Sequence, residues 1–494
     1  MLESLEMIFS GFTILYMLFG VVLGLLFGAI PGLTATLAVI LLVPFTYTMD
    51  VTNGMATLIG VYVGGISGGL VAAIMLKMPG TPSSVATTFD GFPLARQGKA
   101  GKALGVAVFS SFVGTIFSWL CLIFLAPYLA KVALAFGPFE YVAAILFGFT
   151  AVVTLSGDSI YKGIISAALG LGLVLIGTDS LTGMPRATFG SEFLVSGFPY
   201  MPALIGLFVL AEIFSQIEAK DEKFVVPSQK LSGIYMTVKE IIVSIPNFIR
   251  SSLIGVAIGI LPGIGGSFAN FVCYDQARKA SKDPDSFGKG NIQGLVASET
   301  GNNATIGGSL IPLVSLGIPG DTVTAALLGG LMIKGITPGP LFVHEYPNVL
   351  YAIFNSVLLS SFLMLAFMLL IGIKVMPPLL RIPKHVLLPI VLIMSLAGAY
   401  NINFSVNDVW ITVFMGIIGF IMDKLKYPKT PIVITMILGK AFEMQLRTAL
   451  TQSDGSLLPM VTSPYALIFV LITVLTIALP VISKLRQAAK AKAA

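Results

Sequence analysis

The chain has 494 residues, 56% of them hydrophobic and only 11% charged, with a net charge of +6. A soluble chain carries roughly 25% charged residues, and a mean hydropathy of +0.95 leaves too little polar surface to keep a body of this size in water. Apolar runs of about 20 residues, the length of a spanning helix, recur from end to end and imply an all-α polytopic membrane protein. The short alternating strands of an outer-membrane barrel are missing, and the Lys and Arg residues fall in loops and at the C-terminus, as the positive-inside rule places them, so the net charge is not a nucleic-acid signal.

The N-terminus, MLESLEMIFSGF, has no basic region and no small-residue cleavage site, so it does not read as a signal peptide. Residues 8–45 form one apolar stretch broken around Pro31-Gly32, since proline removes a helix donor and glycine relaxes the backbone. It reads either as a full span followed by a short helix or as a re-entrant hairpin. Residues 54–88 follow as a broken helix. Gly64-Gly65-Ile66-Ser67-Gly68-Gly69 inside it suits close helix packing, and the break comes at Lys77-Met78-Pro79-Gly80. A basic loop with Arg96, Lys99 and Lys102 is expected next, then spans near 104–130, 138–156, 160–177 and 198–215, with Asp158, Asp179, Arg186 and Glu192 at interfaces. Cys121 and Cys273 sit in or beside apolar stretches and read as buried free thiols. Residues 216–240 turn polar, with Lys220, Lys223, Lys230 and Lys239, and read as a cytoplasmic linker.

The opening pattern then returns. Residues 241–275 break at Pro262-Gly263, a basic loop follows (Arg278, Lys279, Lys282, Lys289), and residues 294–334 form a second broken helix interrupted at Pro319-Gly320. Apolar spans near 349–373, 386–402, 408–423, 430–445 and 464–484 complete the chain, with Lys374, Arg381 and Lys384, then Lys424, Lys426 and Lys429, between them. A basic tail, 485–494, continues from Lys484 with Arg486, Lys490 and Lys492. Gly68 and Gly308 each stand 11 residues before the proline of their break. The loop after the first break lacks Lys and Arg in half one (Thr46–Asn53) and is basic in half two; the loop after the second break shows the reverse. This swap of sides predicts two inverted repeats, 1–215 and 241–484, with re-entrant hairpins at 8–45 and 241–275, scaffold spans at 104–215 and 349–484, an outside N-terminus, an inside C-terminus and about 11 full spans.

Paired interruptions in two halves point to a transporter site. Half-helix N-termini hold carboxylates, and C-terminal ends and unwound carbonyls coordinate Na+. Small hydroxyl residues follow the breaks: Thr34 and Thr36; Thr81, Ser83 and Ser84; Ser267 after Gly265 and Gly266; Thr322 and Thr324. They suit a carboxylate as donors, and equally suit helix capping. In the second broken helix Asn302 and Asn303 offer donors and acceptors, while Glu299 and Asp321 suit cation ligands, proton carriers or ion-pair members. Lys77 is either a counter-charge for an anion or an interfacial lysine. No phosphate-binding loop of ATPases is present, and His344 and His385 stand alone, without metal-ligand spacing. Rival readings are an intramembrane enzyme using Glu299 or Asp321 and a passive anion channel.

The segments GAIPGLTATLAVILLVPFTY, YVGGISGG, PGTPSSVATTFDGFPLARQGKAGKALG, GILPGIGGSFANFVCYD and ASETGNNATIGGSLIPLVSLGIPGDTVTAALLGGLMIKGITPGPLF resemble the large membrane subunit of the tripartite tricarboxylate transporters, the TctA family, over nearly the whole chain. The resemblance implies a bacterial inner-membrane permease for carboxylates such as citrate. It would work with a small four-helix membrane subunit and a periplasmic solute-binding protein, without a cofactor, as a monomer or homo-oligomer. It also implies kinship with elevator-type carboxylate transporters driven by Na+ or H+ gradients. The positions it carries over are Pro31, Gly32, Pro79, Gly80, Pro262, Gly263, Asn302, Asn303, Pro319 and Gly320.

Overall fold

The computed structural model describes residues 12–155, 159–179, 181–218, 231–380 and 382–493, without the side chains of 151–155 and 479–493. Residues 1–11, Asp158, Lys220, Lys223, Lys230 and Arg381, and the side chains of Lys484, Arg486, Lys490 and Lys492, therefore lie outside the described residues.

The chain is a mostly helical polytopic membrane protein. Its helices are α1 (Thr13–Ala29), α2 (Ala35–Thr46), α3 (Val51–Leu76), α4 (Thr87–Ala133), α5 (Pro138–Leu155), α6 (Ile160–Val174), α7 (Tyr200–Glu218), α8 (Val238–Ile260) and α9 (Gly265–Lys279). They continue as α10 (Ile292–Leu316), α11 (Thr322–Ile333), α12 (Pro347–Leu379), α13 (Lys384–Asn403), α14 (Val406–Lys424), α15 (Thr430–Gln452) and α16 (Pro464–Ala493). The expectation of helix alone misses one small feature: Gly177–Thr178 (β1) pairs antiparallel with Pro185–Arg186 (β2).

Among the described residues seven helices are long and apolar enough to cross a membrane, α3, α4, α7, α8, α12, α13 and α14, against the expected 11 or so. Part of the difference has a direct cause: of the expected spans, α6 has only 15 residues. Helix α10 has 25 residues, but Ser298, Glu299, Thr300, Asn302 and Asn303 make it too polar. In the second half α8, with 23 residues, is long enough to cross by itself.

Local chemistry explains the interruptions. Past α1, Gly32 takes a φ of 91°, and the Thr34 hydroxyl accepts the Leu37 N–H to cap α2. Helix α3 runs unbroken through its glycine-rich centre, which packs against α1, so those glycines serve packing. It ends with Lys77 in the left-handed region at φ 59°. Helix α10 ends at Gly317, φ 73°, and Asp321 caps α11 by accepting the Thr324 N–H at 2.7 Å. The basic segment 96–102 has helical turns on both sides of a break rather than an extended loop. The helical path of α4 is interrupted at Gly98, where φ is 79° and only glycine sits without strain, so Thr87–Leu94 and Ala100–Ala133 are two helical stretches joined across a kink. Arg278 and Lys279 likewise end α9, Lys374 lies within α12, and Lys239 lies in the first turn of α8 rather than in a linker.

The chain divides into two compact units. The larger comprises Met1–Ala130 and Met201–Ile421. In it α1 packs along α3, α8 along α10, α9 against α8 and α10, α2 against α3 and α11, and α12 along α3. The smaller comprises Lys131–Tyr200 and Met422–Ala494. There α15 packs against α5 and α6, and α16 against α5. Outside its helices Asp179 and Arg186 form an ionic cluster with Glu443 and Arg447 of α15, with Arg447 2.7 Å from Asp179 and Arg186 2.7 Å from Glu443. The Arg447 hydrogen bond holds the Asp179 carboxyl well below the usual carboxylate range.

Candidate functional site

Within the larger unit the two halves of the chain meet at their breaks. In half one a Cβ on Gly80 would lie 2.2 Å from the Gly28 carbonyl oxygen; in half two a Cβ on Gly320 would lie 2.6 Å from the Gly259 carbonyl oxygen. Each broken helix thus presses its bare backbone onto the helix that precedes its partner break. The Gly263 N–H donates to the Gly320 carbonyl at 2.8 Å, and the Gly80 N–H to the Gly69 carbonyl at 3.4 Å. Across the halves, Thr36 and Thr322 share a hydrogen bond of 2.8 Å, Tyr62 donates to Asp321 at 2.6 Å, and Ser67 donates to Asn303 at 2.7 Å.

At this meeting point Asn302 is wholly buried, and neither its amide nitrogen nor its amide oxygen has a hydrogen-bond partner. Leaving such a group unpaired costs about 1–3 kcal/mol, so an unpaired amide at this depth is a candidate ligand contact. The first turn of α9 faces it. A Cβ on Gly266 would stand 2.5 Å from Asn302 Oδ1, 3.0 Å from Ser83 Cβ and 3.3 Å from Thr305 Oγ1. Only glycine leaves this space open. Ser83 is buried and shares a 3.1 Å hydrogen bond with Thr81. The first N–H groups of α9, at Gly265, Gly266 and Ser267, have no intrahelical acceptor and carry the positive end of its dipole. Amide, hydroxyl and helix N-terminus together can hold a carboxylate.

Other expected residues have structural partners. Asn303 accepts from Ser67 and donates to the Glu299 carbonyl at 3.0 Å. Asp321 is a cap and a partner of Tyr62, and Ser84 bonds within the turn that starts at Thr81. Thr34 caps α2. Gly32, beside Pro31, lies against the Gln216 side chain. Pro262, Pro319, Gly263 and Gly320 are buried at the second-half junction, and Pro79 is half-buried at the first. Lys77 is exposed, its Nζ 5.9 Å from the Phe92 ring centroid, which favours an interfacial role over a counter-charge at Asn302. Among the described residues no three His, Cys, Asp or Glu side chains gather to hold a metal ion.

Glu299 is completely buried. Thr87 Oγ1 donates to its Oε1 at 2.5 Å; Ser111 Oγ lies 3.0 Å from its Oε2, and the Asn303 amide nitrogen 3.4 Å from it. A second buried carboxylate, Asp90, escaped the sequence reading. Its Oδ1 accepts the backbone N–H groups of Gly288, Gly290 and Asn291 at 2.9, 2.8 and 2.7 Å, and its Oδ2 accepts from Tyr274 at 2.8 Å. Asn270 was also missed: it accepts the Ala86 N–H at 2.6 Å and donates to the Ser298 carbonyl at 3.1 Å. Both lie in the motifs TTFDGF and GSFANF, where a polar residue between aromatics was the available signal.

Comparison with known proteins gives this geometry its context. The model of the Tripartite tricarboxylate transporter TctA family matches residues 14–434. The chain is 34% identical over 455 residues to an uncharacterized 52.8 kDa protein in the TAR-I ttuC' 3' region of Agrobacterium vitis, covering 92% of this chain and 90% of that protein. It is 35% identical over 213 residues to an uncharacterized protein in the TAR-II ttuC' 3' region of the same organism, covering 43% of this chain and 87% of that protein. No solved structure matches.

Proposed function

The chain belongs to the tripartite tricarboxylate transporter TctA family, and from that premise we propose that it is the large permease subunit of a binding-protein-dependent secondary transporter. It imports tri- or dicarboxylates of the citrate type, driven by a Na+ or H+ gradient. A small four-helix membrane subunit and a periplasmic solute-binding protein complete the system. The protein sits in the bacterial inner membrane with its N-terminus in the periplasm and its C-terminus in the cytoplasm.

The observation that carries this reading is the unpartnered Asn302 amide facing the first turn of α9, with Ser83 and Thr305 at its sides. It supplies neutral donors and a helix dipole for an anion without a fixed cation that would hold the anion permanently. The matched junctions Gly28–Gly80 and Gly259–Gly320 support two inverted repeats whose breaks share one site. The hairpins and broken helices form the moving part of an elevator, and the remaining spans its scaffold.

Uptake of radiolabelled citrate into proteoliposomes tests the reading. The vesicles contain this chain and its small membrane partner, with liganded binding protein outside, and uptake is compared with and without inward Na+ or H+ gradients. Uptake that needs both a gradient and the binding protein is expected. Gradient-independent, non-saturating flux would instead identify a channel.

A further inference from the structure

The hydrogens around Glu299 can be counted. Ser111 has one hydroxyl hydrogen, yet two acceptors claim it: the Ala107 carbonyl at 3.0 Å and Glu299 Oε2 at 3.0 Å. The Asn303 amide gives its short bond to the Glu299 backbone carbonyl at 3.0 Å and stands 3.4 Å from the carboxyl. An ionised Glu299 would have one firm donor, Thr87, and no cation beside it among the described residues, at complete burial. A buried charge left so poorly matched is unfavourable by several kcal/mol on an order-of-magnitude scale. The neutral acid resolves the conflict. Its O–H donates to Ser111 Oγ, Ser111 keeps its hydrogen on Ala107, and Thr87 still donates to Oε1.

We propose that Glu299 carries the coupling proton, so that the driving ion is H+. This rests on the transport reading and names the ion it left open. The O–H bond forms as Glu299 takes a proton from the periplasmic side and breaks as it gives that proton to the cytoplasm. Asn302 lies in the same turn of α10, so proton and carboxylate travel together. Other titratable groups on the surrounding helices are engaged elsewhere. Asp90 accepts from Tyr274, Cys273 donates to the Ser251 carbonyl, Arg250 donates to Asn247, Tyr62 donates to Asp321, and Lys102 pairs with Glu240. Lys77, Arg96, Lys99, Arg278 and Lys279 lie in terminal turns or kinks of these helices rather than beside Glu299.

Two measurements test it on the full chain. Infrared difference spectra of the purified protein at neutral pH, wild type minus Glu299→Gln, are expected to show the C=O stretch of a protonated carboxylic acid. Its absence overturns the neutral acid whether or not the protein transports citrate. In proteoliposomes with both partners and no Na+, wild type is expected to acidify the lumen as citrate enters under an inward proton gradient. Glu299→Gln is expected to lose accumulation and acidification while retaining exchange of internal for external citrate. Proton-coupled accumulation that persists in Glu299→Gln overturns the proposal. Failure of wild type to move citrate under any gradient strikes instead at the transport reading, and leaves the infrared result to decide the protonation.

Discussion

Asp90 and Glu299 are both wholly buried carboxyl groups in the same unit, and their surroundings are opposite. Asp90 is saturated: three backbone N–H groups and a phenol aim at it, and it fastens the segment after α9 to the start of α4. Glu299 shares donors with carbonyls, and the side-chain amide of Asn302, in the same turn, has no partner. Burial alone therefore does not separate structure from function in this protein. Completeness of hydrogen bonding distinguishes the two: the saturated Asp90 ties backbone segments together, and the proposed proton and ligand roles fall on the deficient Glu299 and Asn302.

The contrast can be broken most severely at Asp90. Asp90→Ala leaves four donors without an acceptor, and at about 1–3 kcal/mol for each buried orphan the folded state should be lost or lowered by several kcal/mol. Expression and thermal unfolding in detergent would show it; an unaltered unfolding temperature would mean that water satisfies the clasp. Asn302→Ala should behave in the opposite way. Removing an amide that has no partner leaves the unfolding temperature nearly unchanged, while losing one hydrogen bond to a charged substrate weakens uptake by roughly tenfold or more. Asn303→Ala is the control, because its amide is bonded at both ends and its loss should show in stability. Smaller still is Tyr274→Phe, which removes one of the four donors to Asp90 and should lower stability by about 1 kcal/mol.

The last prediction moves to the smaller unit, where charges pair in the open rather than inside. The folded-state Asp179 carboxyl titrates below its unfolded value, so its contribution is present above the ordinary carboxylate range and is lost as pH falls through the folded value. Hydrogen exchange in residues 177–199 should rise on acidification, and Asp179→Asn should show the fast exchange already at neutral pH. An acid-insensitive exchange rate would remove the ionic cluster from the account of that segment.

The breaks were legible in the sequence because proline and glycine write them into the local chain. Pro31-Gly32, Pro79-Gly80, Pro262-Gly263 and Pro319-Gly320 all fall where helices stop. So was the Asn302-Asn303 pair, as amides inside an apolar run. Which of the two was free was not legible, because Ser67, the partner that satisfies Asn303, comes from a helix 236 residues away. Asp90 stayed hidden for the same reason, its acceptors' partners lying beyond residue 273. The basic segment at 96–102 was legible as an interruption between helical stretches, and Gly98, with its positive φ, is where the helix breaks. The span count fell short in part because the polar run at 298–303 lowers the hydropathy of α10 and because α6 is too short to cross.

The Asp90 clasp also has a consequence in time. Its last donor, the Asn291 N–H, is 201 residues downstream. At a synthesis rate of roughly 5–20 residues per second, that donor leaves the ribosome on the order of 10–40 s after Asp90 does. Throughout that interval Asp90 lacks the backbone donors that hold it in the folded protein. The chain is committed to an order of assembly in which the first half waits, unfinished, for the second to be made.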